Sequence, residues 1–220
     1  MRRRSFLAGL GAVALFGRVA QAASDEERTI ALTFDDGPHP ELTPQLLEIL
    51  ERQQVPATFF VVGTCAQRWP EVVRRAFSAG HEIGNHSWSH PFLTECSAAR
   101  VTQEIERTDA LLHDLTGERP NTVRPPYGAV NGEIRQIALP RPMMLWDVDT
   151  NDWRSRNTAA VERAAIGSAG GIVLMHDIHR TTVEAVPAII GSFKARGYRF
   201  VTISSYVNWT LTNPSWLDQV

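Results

Sequence analysis

The chain has 220 residues, of which 43% are hydrophobic, and this length is enough to bury one full-sized core in a single main domain. Its formal charge is −2 at pH 7, and loss of the first 22 residues would leave 18 basic and 24 acidic residues, a charge of −6. Because nucleic acids and anionic membranes bind basic surfaces, we expect neither as a partner.

The first 22 residues have the features of an export signal. Three arginines at positions 2–4 precede an apolar run that ends at Phe16, and residues 20–22 read Ala-Gln-Ala, a small-x-small cleavage site. The Arg pair followed by x-Phe-Leu resembles the twin-arginine variant. The alternative is a membrane anchor, but residues 6–16 are too few to span about 30 Å of hydrocarbon. We therefore expect an exported protein, periplasmic or extracellular, with no membrane insertion after cleavage.

Short apolar runs alternate with longer helical patterns along the rest of the chain. The predicted strands are 29–34, 57–62, 82–85, 122–124, 143–148, 171–175 and 199–203. The predicted helices are 43–53, 70–79, 97–115, 131–139, 158–168 and 183–196. This alternation indicates a parallel sheet covered by helices, and seven strands favour a closed or nearly closed barrel. No Gly-x-Gly-x-x-Gly follows the first strand, so a dinucleotide-binding fold is disfavoured.

The sequence divides into four parts on these grounds. We expect a cleavable signal at 1–22, a short linker at 23–28, one folded domain at 29–205 and a C-terminal tail at 206–220. Two cysteines, Cys65 and Cys96, follow the second and third strands. In an oxidising compartment they could form one disulfide, and two separate thiols are the equal alternative.

Two adjacent carboxylates, Asp35 and Asp36, follow the first strand and precede Gly37-Pro38. Asp, Gly and Pro also favour a simple tight turn. However, the strand before them places both carboxylates at its C-terminal end, where βα barrels carry their chemistry. Because neighbouring residues point to different sides, one carboxylate could bind a metal while the other accepts a proton.

His86 and His90 are four residues apart, and such a pair can present two imidazoles to one ion. By itself the spacing is a weak signal. A third ligand is needed, and Asp36 is the natural candidate. The other histidines carry less information: His39, His113 and His179 are expected on the surface or in loops.

Three later segments also end predicted strands. Arg124 stands in Arg-Pro-Pro-Tyr-Gly, which is either a surface loop or a rigid support for a backbone N–H that faces an oxyanion. His176 follows a buried strand, where a lone histidine is usually a core residue. Asp149 ends the strand before it, so an Asp149–His176 pair that raises the histidine's pKa is an alternative. Asp149 and Asp152 could equally be exposed loop carboxylates.

Taken together and in order, these segments resemble the motifs of NodB-homology polysaccharide deacetylases, carbohydrate esterase family 4. The segments are Thr-Phe-Asp-Asp-Gly-Pro, His-Ser-x-x-His, Arg-x-Pro-Tyr, Asp-x-x-Asp-Trp and Leu-x-His. The resemblance covers roughly residues 29–204. It implies an α/β fold with a deformed (β/α) barrel of about seven parallel strands, a divalent metal and removal of acetyl groups from sugars.

The resemblance also implies a role for each matching residue. Asp35 would be the general base, oriented by Arg124, and His176 the general acid, positioned by Asp149. The backbone N–H of Tyr127 would help to bind the oxyanion. The expected metal ligands are Asp36, His86 and His90, and the expected walls of the acetyl pocket are Trp153 and Leu174.

We therefore expect a zinc-dependent N-deacetylase of N-acetylglucosamine polymers of the peptidoglycan or chitin type, acting as a monomer on an acetylated glycan. An Asp-His-His site also accepts Co²⁺ or Ni²⁺. Two alternatives stay open: an O-acetyl esterase on acetylated xylan, and a glycan-binding protein whose metal is structural. The second is disfavoured because binding alone requires neither an acid nor a base.

Overall fold

The computed structural model of the protein describes residues 28–212, with side chains through residue 208. The predicted export signal, most of the predicted linker and the end of the predicted tail lie outside the described residues. Within the described range, no helix combines the length and the apolar character needed to cross a membrane. Cys65 and Cys96 are both free thiols.

Among the described residues, six strands form one parallel sheet. Their bounds are β1 Thr29–Asp35, β2 Thr58–Val61, β3 Glu82–Asn85, β4 Val148–Asp149, β5 Gly171–His176 and β6 Arg199–Phe200. The order is β3-β2-β1-β5-β4, and β6 pairs with the first residues of β1. Every pairing is parallel, which confirms the α/β class predicted from strand–helix alternation.

The predicted strand at 122–124 is reduced to one bridging residue. Val123 pairs in parallel with Asn85 at the end of β3 and with Met143, in the segment that leads to β4. The two edges of the sheet are thereby joined, as the predicted deformed barrel requires. The strand is short because Pro125 and Pro126 follow it, and proline has no N–H to donate to a ladder.

The strand predicted at 143–148 begins only at Val148. The carbonyls of Met144 and Leu145 instead accept hydrogen bonds from the Arg124 side chain, at 3.1 and 2.9 Å. A guanidinium therefore occupies acceptors that a regular strand would offer to its neighbour.

Nine α-helices lie within the described residues. They are α1 Leu42–Gln53, α2 Gly63–Arg68, α3 Pro70–Ser78, α4 Ala98–Thr116, α5 Gly132–Ala138, α6 Asp152–Ser155, α7 Thr158–Ile166, α8 Arg180–Ala195 and α9 Ile203–Thr212. The six predicted helices are confirmed with small shifts at their ends, whereas α2, α6 and α9 were not predicted. Helix α9 runs across the domain boundary expected at 205, and its Tyr206 packs into the interior.

Alternation along the strands separates the helix-facing core from the barrel interior. On β1, Ile30, Leu32 and Phe34 belong to the main core cluster, which includes the buried faces of α1 and α8. The intervening Ala31 belongs to the interior cluster. The same alternation gives Asp35 an inward position at the last residue of β1. The interior cluster consists of Ala31, Phe60, Ile172, Val201, Ile203 and Tyr206.

Glycine is required at the first residue of α2. A Cβ on Gly63 would lie 2.4 Å from the Trp88 ring and 2.8 Å from the Thr108 hydroxyl. We expect Gly63→Ala to lower the free energy of unfolding by about 1–3 kcal/mol because a packed ring must move. Chemical denaturation measures the change.

The matched control is Gly132→Ala, at the first residue of α5, where a Cβ would meet no heavy atom within 4 Å. This variant should unfold like the wild type or be slightly more stable, since alanine loses less backbone entropy than glycine. Equal unfolding free energies for the two variants would contradict the close packing at Gly63.

Candidate active site

The five predicted segments converge on one pocket at the carboxyl ends of the strands. Its volume is about 410 Å³. It is lined by Asp35, Asp36, His86, His90, Tyr127, Trp146, Asp149, Trp153, Leu174 and His176. All but one of the predicted site residues therefore line this pocket, and the exception, Arg124, lies behind Asp35. Trp146 was not predicted, since a tryptophan within a predicted strand is indistinguishable from a core residue.

Asp36, His86 and His90 form a cluster whose candidate ligand atoms all lie within 4.8 Å of one another. The Oδ1 atom of Asp36 is 3.0 Å from Nε2 of His90 and 3.4 Å from Nε2 of His86. Burial raises the pKa of Asp36, but the contacts and charges of both histidines outweigh it and hold that pKa well below its usual range. The carboxyl group is therefore an anion.

This cluster fits a divalent metal ion. Oδ1 of Asp36 is buried and makes no hydrogen bond of normal geometry with a described residue. Nδ1 of His86 lies 2.7 Å from the carbonyl oxygen of Arg124, which can only accept, so Nδ1 carries the proton and Nε2 presents a lone pair. A carboxylate oxygen and imidazole nitrogens that converge in this way are a typical zinc donor set.

Two of the three cluster residues have left-handed backbone conformations, with φ of 74° at Asp36 and 58° at His90. Such conformations are uncommon outside glycine, although Asp and His tolerate them better than most residues. Because the strained residues are those that meet at the cluster, the surrounding fold must support this geometry.

Asp35 is held by a fully buried arginine. Arg124 donates from Nη1 to Oδ1 of Asp35 at 2.8 Å and to the Thr33 hydroxyl at 2.7 Å. Burial lowers the pKa of Arg124, whereas the charge and hydrogen bond of Asp35 raise it. The other oxygen of Asp35 lies 3.7 Å from Nε2 of His86. One carboxylate oxygen is thus fixed by the guanidinium while the other faces the cluster.

His176 is positioned by Asp152, and the predicted Asp149 partner is wrong. Nδ1 of His176 lies 2.8 Å from Oδ1 of Asp152, and its backbone N–H donates to Oδ2 at 2.7 Å. Thr182 donates a further hydrogen bond to Oδ2. Asp149 instead accepts a hydrogen bond from the backbone of Asn151. Asn151, with a left-handed φ of 52°, directly precedes Asp152, the first residue of α6.

The Asp152 contact has an electrostatic consequence. Burial lowers the pKa of His176, but the hydrogen bond and charge of Asp152, with smaller contributions from Asp35 and Asp36, raise it to about 9. Nε2 of His176 lies 3.9 Å from Oδ2 of Asp36. A protonated imidazole nitrogen therefore points into the pocket beside the cluster. His179, expected on the surface or in a loop, lies in the loop before α8 but is buried, and its ring lies 5.7 Å from that of His176.

Aromatic side chains form the rim of the pocket. Tyr127, also left-handed with φ of 60°, stacks on Phe92 with ring centroids 3.9 Å apart and contacts the edge of His90. Trp153 is half exposed, while Leu174 is buried in the wall. Phe92 was not predicted, because a phenylalanine in a loop carries no distinguishing pattern.

Comparison with known proteins places this geometry in context. Residues 22–143 match the family model described as polysaccharide deacetylase. The peptidoglycan-N-acetylglucosamine deacetylase PgdA of Listeria monocytogenes is 46% identical over 179 residues, which is 80% of this chain and 38% of that protein. The peptidoglycan-N-acetylmuramic acid deacetylase PdaC of Bacillus subtilis is 41% identical over 186 residues, 84% of this chain and 40% of that protein.

A solved structure of the peptidoglycan deacetylase PdaC from Bacillus subtilis has a TM-score of 0.82 and 40% sequence identity to this chain. The match covers 86% of this chain and 95% of that one. The chain spans less than half the length of the curated relatives PgdA and PdaC.

Replacement of Asp152 tests the revised pairing. Asp152→Asn removes the anionic partner of the imidazole, so the pKa of His176 should fall by about 1–3 units. Asp149→Asn is the matched control, and it should leave that pKa nearly unchanged. NMR titration of the His176 ring measures both. A larger shift in the Asp149 variant would restore the pairing predicted from sequence.

Proposed function

The chain belongs to the polysaccharide deacetylase family, and from that premise we propose an exported, metal-dependent hydrolase that removes N-acetyl groups from N-acetylglucosamine-containing polysaccharide. The substrate is of the peptidoglycan or chitin type, and the product is acetate. The names of PgdA and PdaC support a cell-wall glycan. Residues 29–205 form the proposed catalytic domain, which acts as a monomer.

One observation carries the proposal: a base and an acid flank the Asp-His-His cluster in one pocket. Asp35 and His176 are register partners on β1 and β5, so their Cα atoms are neighbours across the sheet. Each is fixed by a second buried charged residue, Arg124 for the base and Asp152 for the acid. A site that only binds glycan requires neither arrangement.

The proposed ligands of one divalent ion are Asp36, His86 and His90. Zn²⁺ is the ion we propose, and Co²⁺ or Ni²⁺ is compatible with the same donors. When bound, the ion would supply Lewis acidity that polarises an acyl oxygen and lowers the pKa of water.

The protein's own residues supply the proton transfers. Asp35 accepts a proton from the attacking water as the water oxygen forms a bond to the carbonyl carbon of the acetamide. His176 donates a proton from Nε2 to the amine nitrogen as the carbon–nitrogen bond breaks, because an unprotonated amine is a poor leaving group. The products are acetate and a free amino sugar.

Other pocket residues orient the substrate in this proposal. The backbone N–H of Tyr127 faces the developing oxyanion, a role that its constrained left-handed conformation supports. Trp153 and Leu174 enclose the acetyl methyl group, and Asp149 contributes a polar group to the same wall.

Export is proposed on the sequence of residues 1–22. Action in the periplasm or outside the cell agrees with the cell-wall substrates named for PgdA and PdaC.

Acetate release is the direct test of the proposed activity. Residues 23–220 with Zn²⁺ should release acetate from peptidoglycan and chitooligosaccharide, and Asp35→Asn should reduce turnover by about 10²–10⁴-fold. The exposed Asp114→Asn is the control and should retain full activity. Release from acetylated xylan alone would instead indicate an esterase. If the free amines that remain on the polymer are found on muramic acid rather than on glucosamine, the specificity is for N-acetylmuramic acid.

A second test separates acid catalysis from metal binding. His176→Ala should lower amide turnover by about 10²-fold or more while bound zinc stays unchanged, since the imidazole donates a proton and is not a ligand. Turnover of an activated acetyl ester should fall much less, because its leaving group needs no proton. Metal analysis and both assays are made alongside the exposed His113→Ala variant. Loss of zinc in parallel with activity would make His176 a ligand.

A further inference from the structure

The loop between the two histidine ligands is fixed by side-chain acceptors along its whole length. Four consecutive backbone N–H groups, those of residues 87–90, each donate to a side-chain oxygen. The acceptors are Oδ1 of Asn85 at 2.8 Å, Oε2 of Glu104 at 2.8 and 2.7 Å, and the Ser87 hydroxyl at 3.1 Å. The loop thus has none of its own N–H groups left to bond solvent.

Two of these four bonds end on a single buried carboxylate. Glu104 lies in the middle of α4, outside all five segments that carry the chemistry, and is only 1% exposed. Its Oε2 accepts from the N–H groups of Trp88 and Ser89. Its Oε1 accepts from the Ser89 hydroxyl at 2.7 Å and lies 2.5 Å from the guanidinium of Arg100.

A buried carboxylate requires such partners, because desolvation of an unpaired charge is costly. The loop in turn requires the carboxylate. Ser87 and His90 have left-handed φ angles of 65° and 58°, and residues persist in this region only when surrounding contacts fix them. Charge-assisted hydrogen bonds are about twice as strong as neutral ones. Glu104 and the loop geometry therefore specify each other.

The start of the loop is attached to the same helix. Nδ2 of Asn85 donates to the Ile105 carbonyl at 2.9 Å and to Oδ1 of Asp109 at 2.7 Å. Asp109 is itself paired with Arg119 and Arg141. Helix α4 thus contacts the loop through both Glu104 and Asp109, on either side of Ile105.

We propose that Glu104 is a positioning residue for the metal site, which sets the separation and orientation of His86 and His90 through the backbone between them. This inference rests on the proposed metal site. It does not require the glycan specificity to be correct.

The test compares Glu104→Gln with Glu106→Gln, an exposed glutamate two residues along the same helix. Glutamine keeps the size of the side chain but loses the charge, and its NH₂ group would face N–H or O–H groups that need an acceptor, such as the backbone N–H of Ser89. The dissociation constant for Zn²⁺ is measured by chelator competition, and the Co²⁺-loaded proteins give a visible absorption spectrum. We expect Glu104→Gln to bind Zn²⁺ about 10–100-fold more weakly, with an altered Co²⁺ spectrum, and Glu106→Gln to match the wild type.

A purely structural role predicts a different result. If Glu104→Gln lowers thermal stability but keeps the wild-type Zn²⁺ affinity and Co²⁺ spectrum, the proposal is overturned. Should Glu104→Gln not fold, Ser89→Ala removes one partner of the same carboxylate and should weaken Zn²⁺ binding by roughly two- to tenfold. Unchanged binding in that variant would equally overturn the proposal.

The binding measurement is independent of glycan turnover. A wild-type chain that binds Zn²⁺ tightly but releases no acetate would contradict the proposed function and leave the role of Glu104 to be decided by the affinities. A wild-type chain that binds no Zn²⁺ would overturn both the metal site and this inference.

Discussion

The candidate site depends on one fully buried guanidinium, that of Arg124. Its N–H groups bond to Asp35, to Thr33 and to two carbonyls of the segment that leads into β4. Its own backbone carbonyl accepts from Nδ1 of His86 and so orients a proposed metal ligand. A single residue therefore connects β1, β3 and the closing segment of the barrel. Loss of one member of such a buried pair leaves an unpaired charge, which typically costs about 3–5 kcal/mol.

Backbone strain is concentrated where these contacts are densest. Asp36, Ser87, His90 and Tyr127 all have positive φ, and all lie in or beside the pocket. Each such conformation costs about 1–3 kcal/mol outside glycine. Local preference therefore opposes this geometry, and the buried polar contacts of Arg124 and of helix α4 with neighbouring backbone offset it. The geometry of the site is therefore fixed by buried contacts beneath the loops rather than by the local preferences of the loop residues.

The arrangement of the fold was predictable because alternation of apolar runs reports burial directly. β1 reads Ile-Ala-Leu-Thr-Phe-Asp from residue 30, and this apolar run places the pair Asp35 and Asp36 at a strand end, although it does not show which of the two points inward. The pairing of His176 was not predictable, because Asp149 and Asp152 lie in one short segment and the sequence does not show which of them the left-handed backbone at Asn151 directs toward the imidazole. Glu104 carried no signal either. A glutamate on an amphipathic helix looks solvent-exposed until the loop that covers it is placed.

Two buried ion pairs give the pocket groups of opposite charge. The cationic guanidinium of Arg124 is paired with Asp35, and the anionic carboxylate of Asp152 is paired with His176. Since the pKa of His176 rises from an ordinary 6.5 to about 9 on folding, its pairing stabilises the fold fully below pH 6.5, and this stabilisation is lost as pH rises toward 9. Part of the upward shift comes from Asp36. A divalent cation held by Asp36 would cancel that part and lower the pKa of His176 further through its own charge, which leaves Asp152 as the main support of a proton donor near neutral pH. The proposed acid is thus supported by Asp152, which is not among the proposed ligands of the ion.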